Sequence, residues 1–166
     1  GQTGGSATAS LTNSGKLAIF AVADAEGGKT ANAFAFVGGG VSQNANGAQT
    51  GSASFSNANL FQVEAAAKAT GNNAVATASA VGAVSQHVTA AGTALAALFN
   101  AGTFVVAADA AAKGGASAFA AAGASGGFQF ATGGNLASDF IDNSGTYEAV
   151  AGALASANHA TALATA

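Results

Sequence analysis

"ALAALFNAGTFVVAADA", residues 94–110, holds the decision between helix and strand. Its first six residues favour a helix by intrinsic propensity. From Asn100 onward the same stretch alternates: Gly102, Phe104, Val106, Ala108 and Ala110 stand at every second place. The choice falls to the strand, because the stretch recurs and the alternation recurs with it. Asn100 has counterparts at Asn13, Asn57 and Asn143, at spacings of 44, 43 and 43 residues. A second marker keeps the same beat: Gln43, Gln86 and Gln129 are 43 apart, each 14 residues before the next asparagine.

Aligned on the asparagines, the even offsets are apolar and taper in size. Two residues before the marker stand Leu11, Phe55, Leu98 and Ile141, and four after it Leu17, Phe61, Phe104 and Tyr147. Eight after it the column is alanine throughout, at Ala21, Ala65, Ala108 and Ala151. Of the eleven charged residues, nine lie between one before and thirteen after a marker, and every one of the nine has an odd offset. These are Lys16, Asp24, Glu26, Glu64, Lys68, Asp109, Lys113, Asp142 and Glu148. Period two with charge on one parity is the pattern of a strand with one buried face.

The rest of each period is a second alternating stretch, "TANAFAFV" at 30–37 and "NAVATASAV" at 73–81. Glycine-rich joints, "EGGKT" and "TGNN", separate it from the first, and "NANGAQTGS" returns the chain to the next marker. The repeat thus reads as strand, turn, strand, turn, with glycine or asparagine expected at positive φ in the joints and beside each marker. The third repeat is looser, since Ala116, Ala118, Ala120 and Ala122 slip in parity relative to Gln129.

Repetition at this period with matched residue types predicts an all-β fold, a parallel β-solenoid of about four 43-residue repeats. The repeats run approximately over 7–50, 51–93, 94–136 and an incomplete 137–166, in a single domain 1–166. Each column then becomes a ladder along the axis, and Asn13, Asn57, Asn100, Asn143, Gln43, Gln86 and Gln129 are the expected structural ladders. Alanine columns fill only a narrow lumen, so the coil is expected to be flattened and two-walled. A narrower solenoid with two coils per repeat is the alternative.

Half of the residues are apolar, 7% are charged, and there is no proline, cysteine, methionine or tryptophan. This is the opposite of the charged, proline-rich composition of disordered chains. Four lysines without arginine make no basic patch, which argues against a nucleic-acid partner. Residues 69–108 lack charge but are interrupted by Asn72, Asn73, Gln86, His87 and Asn100, so no membrane-inserting helix of about 20 apolar residues is expected.

Chemistry is sparse. His87 and His159 occupy non-equivalent repeat positions and neither has a recurring acidic partner. The carboxylates are scattered, so no catalytic residue, cofactor site or metal site is expected. Asp24 and Lys68 share one column in neighbouring repeats and read as a surface pair of little energetic weight.

The pattern Asn-Ser-Gly-[Lys/Thr]-apolar (Asn13–Leu17, Asn143–Tyr147), with the later "GGGVSQ" at 38–43 and "GAVSQ" at 82–86, resembles the repeats of large secreted bacterial β-solenoid adhesins, matrix proteins and surface fibres. The likeness covers roughly residues 7–153. The chain is also similar, at a greater distance, to the curli-type fibre subunits, which stack asparagine and glutamine ladders in shorter coils. The resemblance implies an extracellular or cell-surface role as a structural subunit or an adhesin, with no active residues. Self-association is the expected partnership. The coil begun at Asn143 lacks most of its glutamine-marked return segment and the first residues supply a piece of one, so the C-terminal coil is expected to accept residues 1–12 of a second copy; the alternative is a piece of a longer covalent repeat.

Overall fold

A computed structural model describes residues 5–166. It is all β, with parallel pairing throughout and no helix among the described residues. The chain makes successive passes. The first comprises β1 (Ser6–Asn13), β2 (Lys16–Gly38) and β3 (Val41–Gly47). The second repeats these as β4 (Thr50–Asn57), β5 (Leu60–Val81) and β6 (Val84–Ala90). The third follows as β7 (Thr93–Asn100), β8 (Thr103–Ala124) and β9 (Gly127–Gly133), and the fourth as β10 (Leu136–Asn143), β11 (Thr146–Ser156) and β12 (His159–Thr165).

Each strand pairs with its equivalent one pass on, except that β11 and β12 together stand opposite the single strand β8 and no described strand of the fourth pass pairs with β9. Three sheets result, ordered β1-β4-β7-β10, β2-β5-β8 with β11 and β12 on β8, and β3-β6-β9. The pairing aligns Asn13 with Asn57, Asn57 with Asn100 and Asn100 with Asn143. Gln43 aligns with Gln86, and Gln86 with Gln129. The helix-favouring "ALAALF" lies within β7, where tertiary pairing outweighs local propensity.

Burial follows the alternation. Phe61, Val63, Ala65, Ala67 and Ala69 of β5 point into the core, as do Ala74, Ala76, Ala78 and Ala80, all in one buried cluster. The nine charges of odd offset lie on the opposite parity, and none is buried. Near the asparagine corner the core is wide enough for Phe55, Phe61 and Phe104, whose ring centroids lie 4.8–6.3 Å apart in edge-on and tilted contacts. Further along β5 and β8 the inward residues are alanine, from Ala65 to Ala80 and from Ala108 to Ala124. A Cβ added at Gly40 would meet the side chains of Val63 and Ile19 at 2.9 and 3.2 Å, which shows how closely the chain segments approach.

Two expectations are corrected, and the looseness of the third repeat is explained. First, the period is not strand, turn, strand, turn. β2, β5 and β8 run on through the glycine-rich joints, with only a register shift at Gly27/Thr30 and at Gly71/Asn73. The stretch expected as a return joint instead contains β3 and the start of β4. Second, positive φ occurs only at Gly39 and Gly82 among the described residues, at the corners before β3 and β6. Glycine stands two residues after the marker for a different reason: a Cβ at Gly102 would overlap the Asn59 carbonyl oxygen, and one at Gly145 that of Gly102. At Gly102 and Gly145 close stacking of corners, not an unusual backbone angle, requires it, whereas the second pass carries Asn59 at the same place and a Cβ at Gly15 meets nothing within 4 Å.

The slip in the third repeat is real, and its alanines still face inward. Ala74 pairs with Ala118 and Ala80 with Ala124, and Ala118, Ala120, Ala122 and Ala124 are buried. The slip is absorbed at the following corner. Four residues separate Ala80 from Val84, but only three separate their partners Ala124 and Gly127. Gln129 is thereby kept in its column. The shortened corner has no left-handed glycine and leaves the buried Ser125 hydroxyl without a partner.

Candidate functional site

The polar groups that converge in this molecule are the side-chain amides of the two marker columns. Each asparagine ends a strand of the first sheet, immediately before the corner that leads into a long strand. There the side chain points inward. Asn57 and Asn100 are 1% exposed and Asn13 is 8% exposed, so their amides must find partners within the protein.

They find them one pass on. Asn13 Nδ2 donates to Asn57 Oδ1 at 2.8 Å, Asn57 Nδ2 to Asn100 Oδ1 at 2.7 Å, and Asn100 Nδ2 to Asn143 Oδ1 at 2.6 Å. The second N–H of each donates to a backbone carbonyl of the next corner: Leu60 at 2.8 Å, Thr103 at 3.1 Å and Thr146 at 2.9 Å. Both donors of every enclosed asparagine are used, which an aliphatic side chain of similar size cannot reproduce.

The glutamine column runs the other way. Gln86 Nε2 donates back to Gln43 Oε1 and Gln129 Nε2 to Gln86 Oε1, both at 2.7 Å. The remaining N–H crosses to the first sheet, reaching the carbonyls of Ser54, Ala97 and Phe140 at 2.9–3.0 Å. Asparagine thus ties corner to corner, and glutamine ties the third sheet to the first.

Both columns end open. Asn143 is exposed, accepts from Asn100 and donates to no described residue, while Asn13 Oδ1 accepts from none. At one end face stands an unused donor, at the other an unused acceptor. Gln129 Oε1 is likewise without a donor, and Gln43 makes a stretched 3.4 Å contact to the Ala9 carbonyl.

The remaining candidates stay apart. His87 is exposed on β6 and stacks on Phe130 of the next pass, centroids 5.1 Å apart and planes 7° from parallel. His159 is exposed at the start of β12. Asp24 and Lys68 are register partners on the outward face. Among the described residues no three histidine, aspartate or glutamate side chains gather as metal ligands, and no helix is long and apolar enough to cross a membrane. A trough of about 540 Å³ lies over Ala66, Lys68, Asp109, Ala111 and Leu154, whose side chains line it without converging on a point. Tyr147 stacks on Phe104, centroids 5.0 Å apart, and its partial burial raises the phenol pKa above the ordinary value.

Outward apolar residues escaped the sequence reading, which counted only charge on the odd offsets. Phe20, Phe34, Val150 and Leu163 are 41–65% exposed. Comparing apolar residues across the same columns would have found them.

No protein family, characterised protein or solved structure matches this chain.

Proposed function

We propose that this chain is a structural subunit of an extracellular bacterial fibre or matrix. On this reading its passes wind as a parallel β-solenoid of about four 43-residue repeats with a flattened, alanine-lined core, and copies stack head to tail. The observation that carries the reading is the asparagine column, which ends in an unused donor at Asn143 and an unused acceptor at Asn13. Stacking one copy on another in the same register closes that bond and extends the first two sheets across the junction, as strand addition does. The end pass also offers apolar surface that the inner passes bury: Ile141 is 61% exposed, whereas its column neighbours Phe55 and Leu98 are 0% and 4%.

On this reading the N-terminal segment takes part through the first sheet. Residues 6–13 form β1 and already pair with β4, so they present their free edge to β10 of a neighbour. Residues 1–4 lie outside the described residues. Because the third sheet has three strands against four in the first, a junction that places Asn13 on Asn143 leaves a strand-wide slot beside Gln129. The asparagine column, not the glutamine column, therefore carries continuity. An adhesive face is less well supported, since the outward column Lys16, Leu60, Thr103, Thr146 repeats no residue type through all four passes. The extracellular setting rests on the resemblance of these repeats to secreted ones.

Electron microscopy and fibre diffraction of the purified chain test the reading: filaments with an axial spacing of about 4.8 Å are expected. Asn143→Asp keeps the bond from Asn100 but replaces the free donor with a carboxylate. It is expected to abolish filaments at neutral pH and to restore them below about pH 4, where the protonated acid donates again. The parent at each pH controls for Asp139, Asp142 and Glu148 and for Lys16 of the next copy. A chain that remains monodisperse at every concentration overturns the reading.

A further inference from the structure

The outward columns of the long strands carry an uneven distribution of apolar residues. One column holds Phe20, Glu64, Ala107 and Val150 in successive passes. Another, in the second half of the same strands, holds Phe34, Thr77, Ala121 and Leu163. In both, the inner two passes have polar or small residues, which is what a solvated outer face accepts. The large apolar side chains stand on the first and last passes, next to the two end faces. Phe20 is 53% and Phe34 65% exposed, Val150 41% and Leu163 58%. Exposed apolar groups concentrated in this way mark a contact surface.

We propose that the end faces are a docking site for a second copy of this chain, joined by two apolar clasps outside the core, Phe20 against Val150 and Phe34 against Leu163. The proposal rests on the head-to-tail reading above and adds the contacts outside the core that hold the junction. With Asn13 of the next copy placed on Asn143, the column order brings Phe20 of that copy beside Val150 and Phe34 beside Leu163. Each pair is then one strand spacing apart, about 4.8 Å.

The asparagine bond selects the register. A slip of two residues keeps the inward parity but sets Phe20 against Glu148 or Gly152, and Phe34 against Thr161 or Thr165; in one direction it offers Val22 to Val150 and Phe36 to Leu163 instead, but it takes Asn13 off Asn143. A slip of one residue turns the alanine columns outward. Only the in-register junction joins apolar to apolar in both columns while completing the asparagine bond. Two clasps on separate halves of the long strand also oppose rotation about the axis, which one contact would not.

The test uses the full chain in three forms: the parent, Phe34→Asp/Leu163→Asp, and Phe34→Asp/Leu163→Lys. Both substituted side chains, Phe34 and Leu163, are exposed, and circular dichroism below the assembly concentration checks that each variant folds. Critical concentration is read by sedimentation and filament morphology by electron microscopy. At low salt the like-charged variant is expected to raise the critical concentration at least tenfold, equivalent to about 1.4 kcal/mol. The oppositely charged variant is expected within about threefold of the parent, and to lose that advantage at 1 M salt, where the screening length is about 3 Å.

Like-charged variants that assemble as the parent does overturn the clasp and leave the stacked reading standing. An oppositely charged variant as impaired as the like-charged one overturns the register. Amorphous pellets in place of filaments overturn it too. A parent that never assembles overturns both this proposal and the function on which it rests.

Discussion

Replacing Asn100 with leucine removes three hydrogen bonds from a closed corner: the one accepted from Asn57 and the two donated to Asn143 and to the Thr146 carbonyl. Asn143 and Thr146 are exposed, so water replaces those two bonds and each costs only the net value of about 1 kcal/mol. Asn57 is 1% exposed. One of its N–H groups then faces a methyl, at about 1–3 kcal/mol, while the other keeps the Thr103 carbonyl. Added apolar burial returns about 1–2 kcal/mol, so the expected net loss is about 1–4 kcal/mol. Urea unfolding of monodisperse protein, followed by far-ultraviolet circular dichroism, measures it. Asn143→Ala removes one exposed bond and is expected to cost about 1 kcal/mol or less. The Asn57→Leu/Asn100→Leu double variant loses five bonds, not six, because one is shared. Its loss should fall about 1 kcal/mol short of the sum of the singles. An Asn100→Leu loss under about 0.5 kcal/mol, within the range of an ordinary surface change, refutes the account of the column.

Ala65→Leu is expected to overpack the narrow core by about 1–3 kcal/mol, while Lys68→Gln on the opposite parity stays within about 0.5 kcal/mol; equal losses would contradict the alternation. Gly102→Ala places a methyl into the Asn59 carbonyl and should lower the unfolding midpoint clearly, whereas Gly15→Ala meets nothing within 4 Å and should be silent in the isolated chain. Tyr147 is the sole tyrosine, so its ultraviolet titration reads one group. Burial favours the neutral phenol, raising the folded pKa above the unfolded value near 10. Its stabilising contribution is therefore complete below about pH 10 and fades as pH rises through the folded pKa. An unshifted midpoint would show that the ring is solvated, contrary to its stacking on Phe104.

Much of the strand assignment was legible because the signal was redundant. Columns such as Ala21, Ala65, Ala108, Ala151 repeat one choice four times, and repetition outweighs the local helix preference of "ALAALF". The asparagine and glutamine columns were legible for the same reason, since a fixed period with one residue type implies adjacency between passes. Inward and outward parity followed from period two alone.

Other features depended on three-dimensional distance. That Gly102 and Gly145 answer to a carbonyl one pass away, while left-handed backbone is confined among the described residues to Gly39 and Gly82, follows from how closely corners stack. The slip at Ala118 was visible in sequence, but its absorption by a corner one residue shorter was not. The sequence names an amide without saying which way it donates. The opposite directions of the two columns emerge only when each second N–H has found its carbonyl, at Thr103 for Asn57 and at Ala97 for Gln86. Periodicity is local information that one strand carries by itself. Hydrogen-bond direction and steric overlap belong to pairs of residues some 43 positions apart, and folding alone brings those together.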